Sequence, residues 1–296
     1  MLIVGAQSLS AKSLALGHVV DRASRGRKGR SHVLTALKKQ HALIWAFANR
    51  DFATRYRASV LGWAWSLVQP LATLVIFAAV FSIVFRVQAP PMGNEKTSYA
   101  AYLFTGMVTW NLFSSLVTLS MTQLKSNGEL LKKVHFPAYA PVLGASIVQL
   151  IQVALELVVL IGMFLILGNI GFTWFIAIPI LIGTALFAQG IGLILSIMNA
   201  RFGDVMYIVG VVLGALYFLT PVLYPMSLVE THSSALAWVV KLNPMSWYVQ
   251  AMHDAMYTLT AVSVLEVLAL LVGGFLVFWA GFSIFNRFSE DIGEML

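Results

Sequence analysis

Glu156 is the one ionisable group deep inside a long apolar run, and Gln149 and Gln152 precede it by one or two helical turns. Ionisable groups at membrane depth are expensive and mark function by default, so Glu156 is a candidate proton or ion relay. A relay usually wants several such groups, and a single carboxylate beside amides fits an interhelical hydrogen bond as well. His253-Asp254 is an acid/base pair by residue type, although a surface pair is the plainer reading. The six histidines, at 18, 32, 41, 135, 232 and 253, include no pair at metal spacing on one helix face. No G-x-x-x-x-G-K-S/T, G-x-S-x-G or H-E-x-x-H run occurs, so P-loop nucleotide binding and two common hydrolytic chemistries are not expected. There is no cysteine, which excludes disulfides, thiol catalysis and Cys-ligated metals. Tyr102, Phe104, Trp110, Phe113, Tyr207, Tyr217 and Phe218 lie within apolar runs. Lipid contact and core packing account for most such residues, but aromatic rings also stack on the apolar faces of sugars.

The composition says what must position these groups. Of the 296 residues, 59% are hydrophobic and 10% are charged, where soluble domains carry about 45–50% and about 25%. So little charge cannot cover a soluble surface, and a soluble enzyme or nucleic-acid-binding domain is excluded as the whole of this chain. Runs of about 20 apolar residues cross a bilayer. Six are expected, over about 63–85, 98–124, 138–167, 172–198, 205–224 and 261–285.

An even number places both termini on one side. Residues 1–57 hold eleven of the nineteen lysines and arginines. Lys125, Lys132, Lys133, Arg201 and Arg287 add five, against Arg86, Lys96 and Lys241 in the other loops. That asymmetry makes both termini cytoplasmic and explains the net charge of +7 without nucleic acid. Trp63, Trp65, Trp174 and Trp279 fall near expected helix ends, where interface belts sit. No cleavable signal peptide is expected, since the basic run 22–30 follows the weak apolar stretch instead of preceding it.

The expected fold is all-α and integral to the membrane. A basic cytoplasmic tail, expected to be disordered, covers 1–33, an amphipathic interface helix 34–57, and a six-helix transmembrane domain 58–296. In the second segment Leu34, Leu37, Ile44, Trp45, Ala48, Phe52 and Tyr56 share an arc of about 120°. It lies in the interface either as a plain anchor or as a docking surface for a cytoplasmic partner. Residues 125–137 carry a turn signal at Asn127-Gly128, an i,i+4 pair Glu129–Lys133 and a stop at Pro137, enough for one or two helical turns. Residues 225–260 are apolar but too interrupted for two spans, and Asn243-Pro244 breaks them in the middle. An outer re-entrant or interfacial helical hairpin between helices five and six is expected, with Pro221 and Pro225 breaking helix five. Gly210-x-x-x-Gly214 permits close helix packing in helix five.

Several stretches resemble one family. Arg55-Tyr56-Arg57-Ala-Ser59-Val-Leu61-Gly62-Trp63-Ala-Trp65-Ser-Leu-Val-Gln-Pro70 is similar to the opening motif of ABC-2 type permeases that export polysaccharides, the transmembrane subunits of O-antigen and teichoic acid exporters of the Wzm/TagG type. Leu131-Lys132-Lys133-Val-His-Phe136-Pro137, then Pro141, resembles that family's K-x-x-F-P stretch. Thr220-Pro221-Val222-Leu223-Tyr224-Pro225 resembles its broken helix five, Asn243-Pro244 its outer hairpin, and Phe288-Ser-Glu290-Asp291-Ile-Gly-Glu294 its C-terminal signature. The resemblance covers about residues 36–296. It departs at Asn199-Ala200-Arg201-Phe202-Gly203-Asp204, where the family commonly has adjacent Arg and Asp.

The resemblance implies a non-enzymatic permease in the bacterial cytoplasmic membrane, working as a homodimer with two copies of a separate ATPase that holds ATP and Mg. No cofactor is implied in this chain. Coupling to the ATPase would fall to Glu129, Lys132, Lys133, Phe136 and Pro137, and the substrate entrance to Arg55, Tyr56, Arg57, Trp63 and Trp65. Tyr102, Trp110, Tyr217 and Tyr224 are candidates for the path, and Pro221, Pro225, Asn243 and Pro244 for an outer gate. The substrates implied are O-antigen, teichoic acid or galactan chains on polyprenyl-pyrophosphate lipids. Arg55 and Arg57 would attract the pyrophosphate, though positive-inside anchoring explains them equally well. The alternatives are an ABC-2 permease for a small amphiphile and an ion-coupled secondary transporter centred on Glu156. An integral-membrane enzyme acting on lipid-linked sugars would need clustered acids, histidines or a metal site, and the sequence offers none.

Overall fold

The computed structural model describes residues 41–55, 62–133 and 136–295. The chain falls into two units, Met1–Ala46 and Phe47–Leu296. Of the first, only residues 41–46 are described, and they are helical. The expectations for 1–33 and for the start of the amphipathic helix lie outside the described residues.

The second unit is all-helical among its described residues. It opens with a helix over 47–55 (α1). A 3-10 turn at Gly62–Ala64 leads into Trp65–Ala79 (α2), which continues as a π turn over Val80–Val84. Pro70, the sixth residue of α2, has no N–H to give the Ser66 carbonyl, which accepts from Gln152 Nε2 instead. Tyr99–Ser126 (α3) begins where the Ser98 hydroxyl caps the Ala101 N–H. Gly128–Lys133 (α4) is the short turn expected after it. Tyr139–Leu167 (α5) ends at Gly168, whose φ of 74° is the left-handed conformation a helix stop favours. A 3-10 turn, Phe172–Ile176, runs into Ala177–Arg201 (α6). Val205–Leu219 (α7), Met226–His232 (α8), Ser234–Leu242 (α9), Pro244–Met256 (α10) and Val264–Met295 (α11) complete the unit.

Among the described residues five segments are long and apolar enough to cross a membrane: Trp65–Val84, Tyr99–Ser126, Tyr139–Leu167, Phe172–Arg201 and Val264–Phe288. The fifth expected run differs. It was read from 205 to 224, but α7 stops at Leu219 after 15 residues, a rise of about 22 Å against a hydrocarbon core of about 30 Å. The backbone turns extended at Thr220, ahead of a proline that has no N–H to continue the ladder. The hairpin is corrected as well: three helices, α8 to α10, stand where two were expected. The extra break is Ser233, an extended residue whose hydroxyl caps the Leu236 N–H.

α3 is the central helix, packed on α5, α6 and α10, and α6 also lies along α11. α3 is buried on nearly all sides, with Ala101, Leu103, Phe104, Val108 and Leu112 fully enclosed. By contrast α2, α5 and α11 leave broad apolar faces open. The α6–α11 contact is a glycine seam. A Cβ at Gly274 or Gly281 would strike the backbone of Gly183 or Gly190, and one at Gly190 would strike Val277. The expected glycine pair of helix five does not pack this way: a Cβ at Gly210 or Gly214 meets open space within the chain.

Candidate functional site

Three polar stripes face one another in the membrane-embedded part. On α2 they are Ser66, Gln69, Pro70 and Thr73, on α3 Met107, Asn111 and Ser115, and on α5 Gln149, Gln152 and Glu156. The spacings of three, four and seven keep each set on one helix face. With Arg55 and Trp65 they line a cleft of about 510 Å³, within the ~300–1,000 Å³ usual for small-molecule sites. Two smaller hollows, of about 290 and 300 Å³, share Arg55 with it and extend along α3 to Thr118, Leu119 and Gln123. The groove therefore follows α3 from Gln123, where Asp51 and Thr54 of α1 also line it, to Met107.

Glu156 is 3% exposed. Its Oε1 accepts from Gln152 Nε2 at 3.1 Å, and the same amide donates to the Ser66 carbonyl. Asn111 stands beside the carboxylate as a further side-chain hydrogen-bonding neighbour, and Oε2 has no donor in good hydrogen-bond geometry among the described residues. A buried carboxylate oxygen without a donor costs free energy that a hydrogen-bonding ligand or water would recover. Among the described residues no three His, Cys, Asp or Glu gather as a metal site does.

At the end of the groove nearest α1, a polar clamp joins that helix to the α3–α4 corner. Arg50 Nη2 donates to Asn127 Oδ1 at 2.7 Å, and Gln123 Nε2 donates to Asp51 Oδ2 at 2.8 Å. Asn127 Nδ2 closes the set by donating to the Gln123 carbonyl at 2.8 Å. The Phe47 ring lies 5.3 Å from Phe136, and the Arg50 guanidinium 4.8 Å from the Phe47 centroid. Leu131 of α4 packs into a small cluster of Leu124, Val142, Leu193 and Phe285, so α4 is seated on α3, α5, α6 and α11. Glu129, Leu130 and Lys133 face outward from it.

At the opposite end of α3 the broken stretch after α7 is held by side chains. Tyr99 Oη donates to the Leu223 carbonyl at 2.7 Å and Tyr102 Oη to that of Tyr224 at 3.1 Å. Asn243 Nδ2 donates to Thr220 Oγ1 at 2.8 Å, while its Oδ1 accepts from the Met245 N–H and caps α10. His253 lies flat on Tyr102, centroids 3.9 Å apart, with Nε2 3.0 Å from the Tyr102 carbonyl. These contacts satisfy backbone groups that the break leaves without helical partners.

The expected site residues thus fall in separate places. Arg55 and Trp65 line the cleft, and Trp65 is half exposed. Tyr56 and Arg57 lie outside the described residues, as do the side chains of Trp63 and Lys132. Phe136 and Pro137 are half-buried in the loop leading to α5. Tyr102 and Trp110, read as path residues, are 2% and 5% exposed. Both are held by protein groups, Trp110 by Phe113 and Tyr217, so neither lines an open surface. Tyr217 and Tyr224 are half-buried, and Tyr224 Oη donates to the Phe218 carbonyl. Pro221 and Asn243 are buried, Pro225 is half-buried and Pro244 is exposed at the start of α10. The α2 and α3 walls of the cleft were missed. Polar residues recurring every three or four positions in spans chosen for their apolarity were the signal.

The chain is a helical, multi-pass membrane protein with a polar groove between α2, α3 and α5. Residues 42–257 match the ABC-2 type transporter family, and the chain belongs to it. It is 28% identical to the O-antigen export system permease protein RfbA of Klebsiella pneumoniae, over 86% of this chain and 95% of that one. It is 26% identical to the protein of the same name from Myxococcus xanthus, over 88% and 97%. It is 22% identical to the polysialic acid transport protein KpsM of Escherichia coli, over 73% and 81%.

Proposed function

We propose that the chain is the permease subunit of an ABC exporter that moves a lipid-linked polysaccharide out across the bacterial cytoplasmic membrane. The observation that carries this reading is the groove: amides, hydroxyls and a carboxylate lining the interior of a chain whose other faces are apolar. Such a lining suits a hydroxyl-rich cargo, and the names of the relatives point to polysaccharides. Since the sequence has no P-loop, the energy comes from a separate ATPase, two copies of it on a homodimer of this chain. Glu129, Lys132 and Lys133 meet that subunit, and the clamp at Arg50, Asp51, Gln123 and Asn127 carries movement of α4 to α1 and so to Arg55. In this reading α7 is the sixth crossing, α8 to α10 form the outer re-entrant element, and both termini are cytoplasmic. Arg55 and Arg57 meet the pyrophosphate at the entrance, and Pro221, Pro225, Asn243 and Pro244 work the outer gate.

The test is gentle purification of the tagged chain from its native membrane, with mass spectrometry of what accompanies it. A stoichiometric P-loop ATPase is expected, as is accumulation of lipid-linked glycan inside cells that lack this chain. Reproducible absence of an ATPase from a stable preparation overturns the reading and favours the ion-coupled alternative, for which buried Glu156 is the supporting observation. Cysteine labelling at position 230 from outside and at 130 from inside checks the orientation.

A further inference from the structure

We propose that the deep half of the α2–α3–α5 cleft is a binding site for a single pyranose ring, in which Glu156 and the amides around it take the ring hydroxyls and Trp65 covers an apolar face. The inference rests on the glycan reading and narrows it to one site within one protomer.

Glu156 Oε2 lacks a donor in good hydrogen-bond geometry among the described residues, with Asn111 its nearest amide, on the wall of a half-open cleft. A carboxylate only accepts, so what completes it must donate. Asn111, Gln149 and Gln152 line the same cavity, and each amide both donates and accepts, as adjacent sugar hydroxyls do. Among the described residues Arg55 is the only cation lining the cleft, and it also lines the two hollows running towards Gln123. The deep half therefore holds one carboxylate and neutral groups, which disfavours a phosphate there. A bound metal fits poorly too, because among the described residues no second acid or histidine lines the cleft beside Glu156. A neutral polyol satisfies the set. Trp65, half exposed on the cleft wall one residue before Ser66, offers a flat apolar surface.

The test uses the full-length chain, purified in a sugar-free detergent, and an alkyl β-glucoside carrying a diazirine beside the glycosidic oxygen. The control is the same alkyl diazirine ending in a hydroxyl. Photolysis followed by peptide mass spectrometry is expected to place the glucoside adducts within 65–73, 107–115 and 149–156. Adducts should fall about tenfold for the control probe and for Glu156→Leu, the loss of one charge-assisted hydrogen bond, but only about twofold for Glu156→Gln. Asn111→Ala, which truncates without inserting an apolar group, should also lower them and serves if Glu156→Leu aggregates. Equal labelling by the control probe, adducts confined to other helices, or undiminished labelling in Glu156→Leu and Asn111→Ala would overturn the site. So would a Glu156→Gln loss as complete as that of Glu156→Leu, which marks a need for charge. Deletion strains keep the two claims apart. Glycan trapped inside such cells with an unlabelled cleft removes the site and leaves the export reading, whereas a labelled cleft with normal surface glycan does the reverse.

Discussion

Gly281→Ala tests the packing that holds α11 to the bundle. The added Cβ would lie 2.8 Å from both Cα and C of Gly190, closer still to its carbonyl oxygen, where ordinary contacts are 3.4–4 Å. Both partners are backbone, so no side chain can swing aside, and the helices must part by about 0.6 Å or more, the difference between 3.4 and 2.8 Å. A gap of roughly 0.5–1 Å forfeits a quarter to a half of each dispersion contact it opens, and overpacking of this kind costs about 1–3 kcal/mol. At about 2–4 °C per kcal/mol for a large domain, the apparent unfolding midpoint in detergent should drop by about 2–12 °C. Gly190→Ala, whose Cβ would strike Val277, should cost a similar amount, and the double substitution less than the sum, because both push α6 and α11 apart at the same crossing. Gly162→Ala is the control, since a Cβ there meets nothing within 4 Å, and better helix propensity should leave the midpoint unchanged or slightly raised. An unchanged midpoint for Gly281→Ala, or an equal drop for Gly162→Ala, would refute the seam.

Replacing Glu129, Lys132 and Lys133 by alanine should cut transport-coupled ATPase activity of the reconstituted complex and leave membrane insertion intact; unchanged coupling removes α4 from the mechanism. Burial, opposed by the hydrogen bond to the Tyr102 carbonyl, holds the His253 imidazole down at about 4 from its ordinary 6.5. The folded state then binds fewer protons, so the His253 contribution is intact above pH 6.5 and declines towards pH 4, by about 3 kcal/mol in all. Midpoints measured from pH 7.5 to 4.5 should show that slope, and His253→Asn should flatten it. Asn243→Ala removes both the α10 cap and the tie to Thr220; a loss of about 1–2 kcal/mol and faster protease cleavage between 220 and 243 are expected, and wild-type resistance would count against the tie.

The long spans were legible because a bilayer demands about 20 apolar residues in a row, and their ends carry local signals at Ser98 and Gly168. The end of α7 was legible only in part: Pro221 signals a break, while the apolar run continues to Tyr224. What the sequence hides is the set of donors from distant helices, Tyr99, Tyr102 and Asn243, that holds the chain beyond the break. It also hides the glycine seam, whose partners Gly183 and Gly190 meet Gly274 and Gly281 across the intervening helices. The local glycine pair at 210 and 214 drew attention instead, yet it faces away from this chain's own core. Of the cleft, the α5 wall was readable because Glu156 is charged. The α2 and α3 walls consist of uncharged residues that a hydropathy window averages away.

In the proposed topology, where α7 crosses the membrane, its shortness has a consequence for the lipid beside it. A 15-residue apolar cylinder leaves about 8 Å of an average hydrocarbon slab unmatched. Its outward face, with Ile208, Val211 and Phe218 exposed, cannot meet a full-thickness bilayer along its whole length. Lipids there must compress, at a fraction of a kcal/mol per ångström, or protein must fill the difference. In either case the greasy barrier is thinnest next to α7, on the side where the chain leaves its helix at Thr220. A water-clad polymer crossing along that wall would have the shortest dehydrated stretch to traverse.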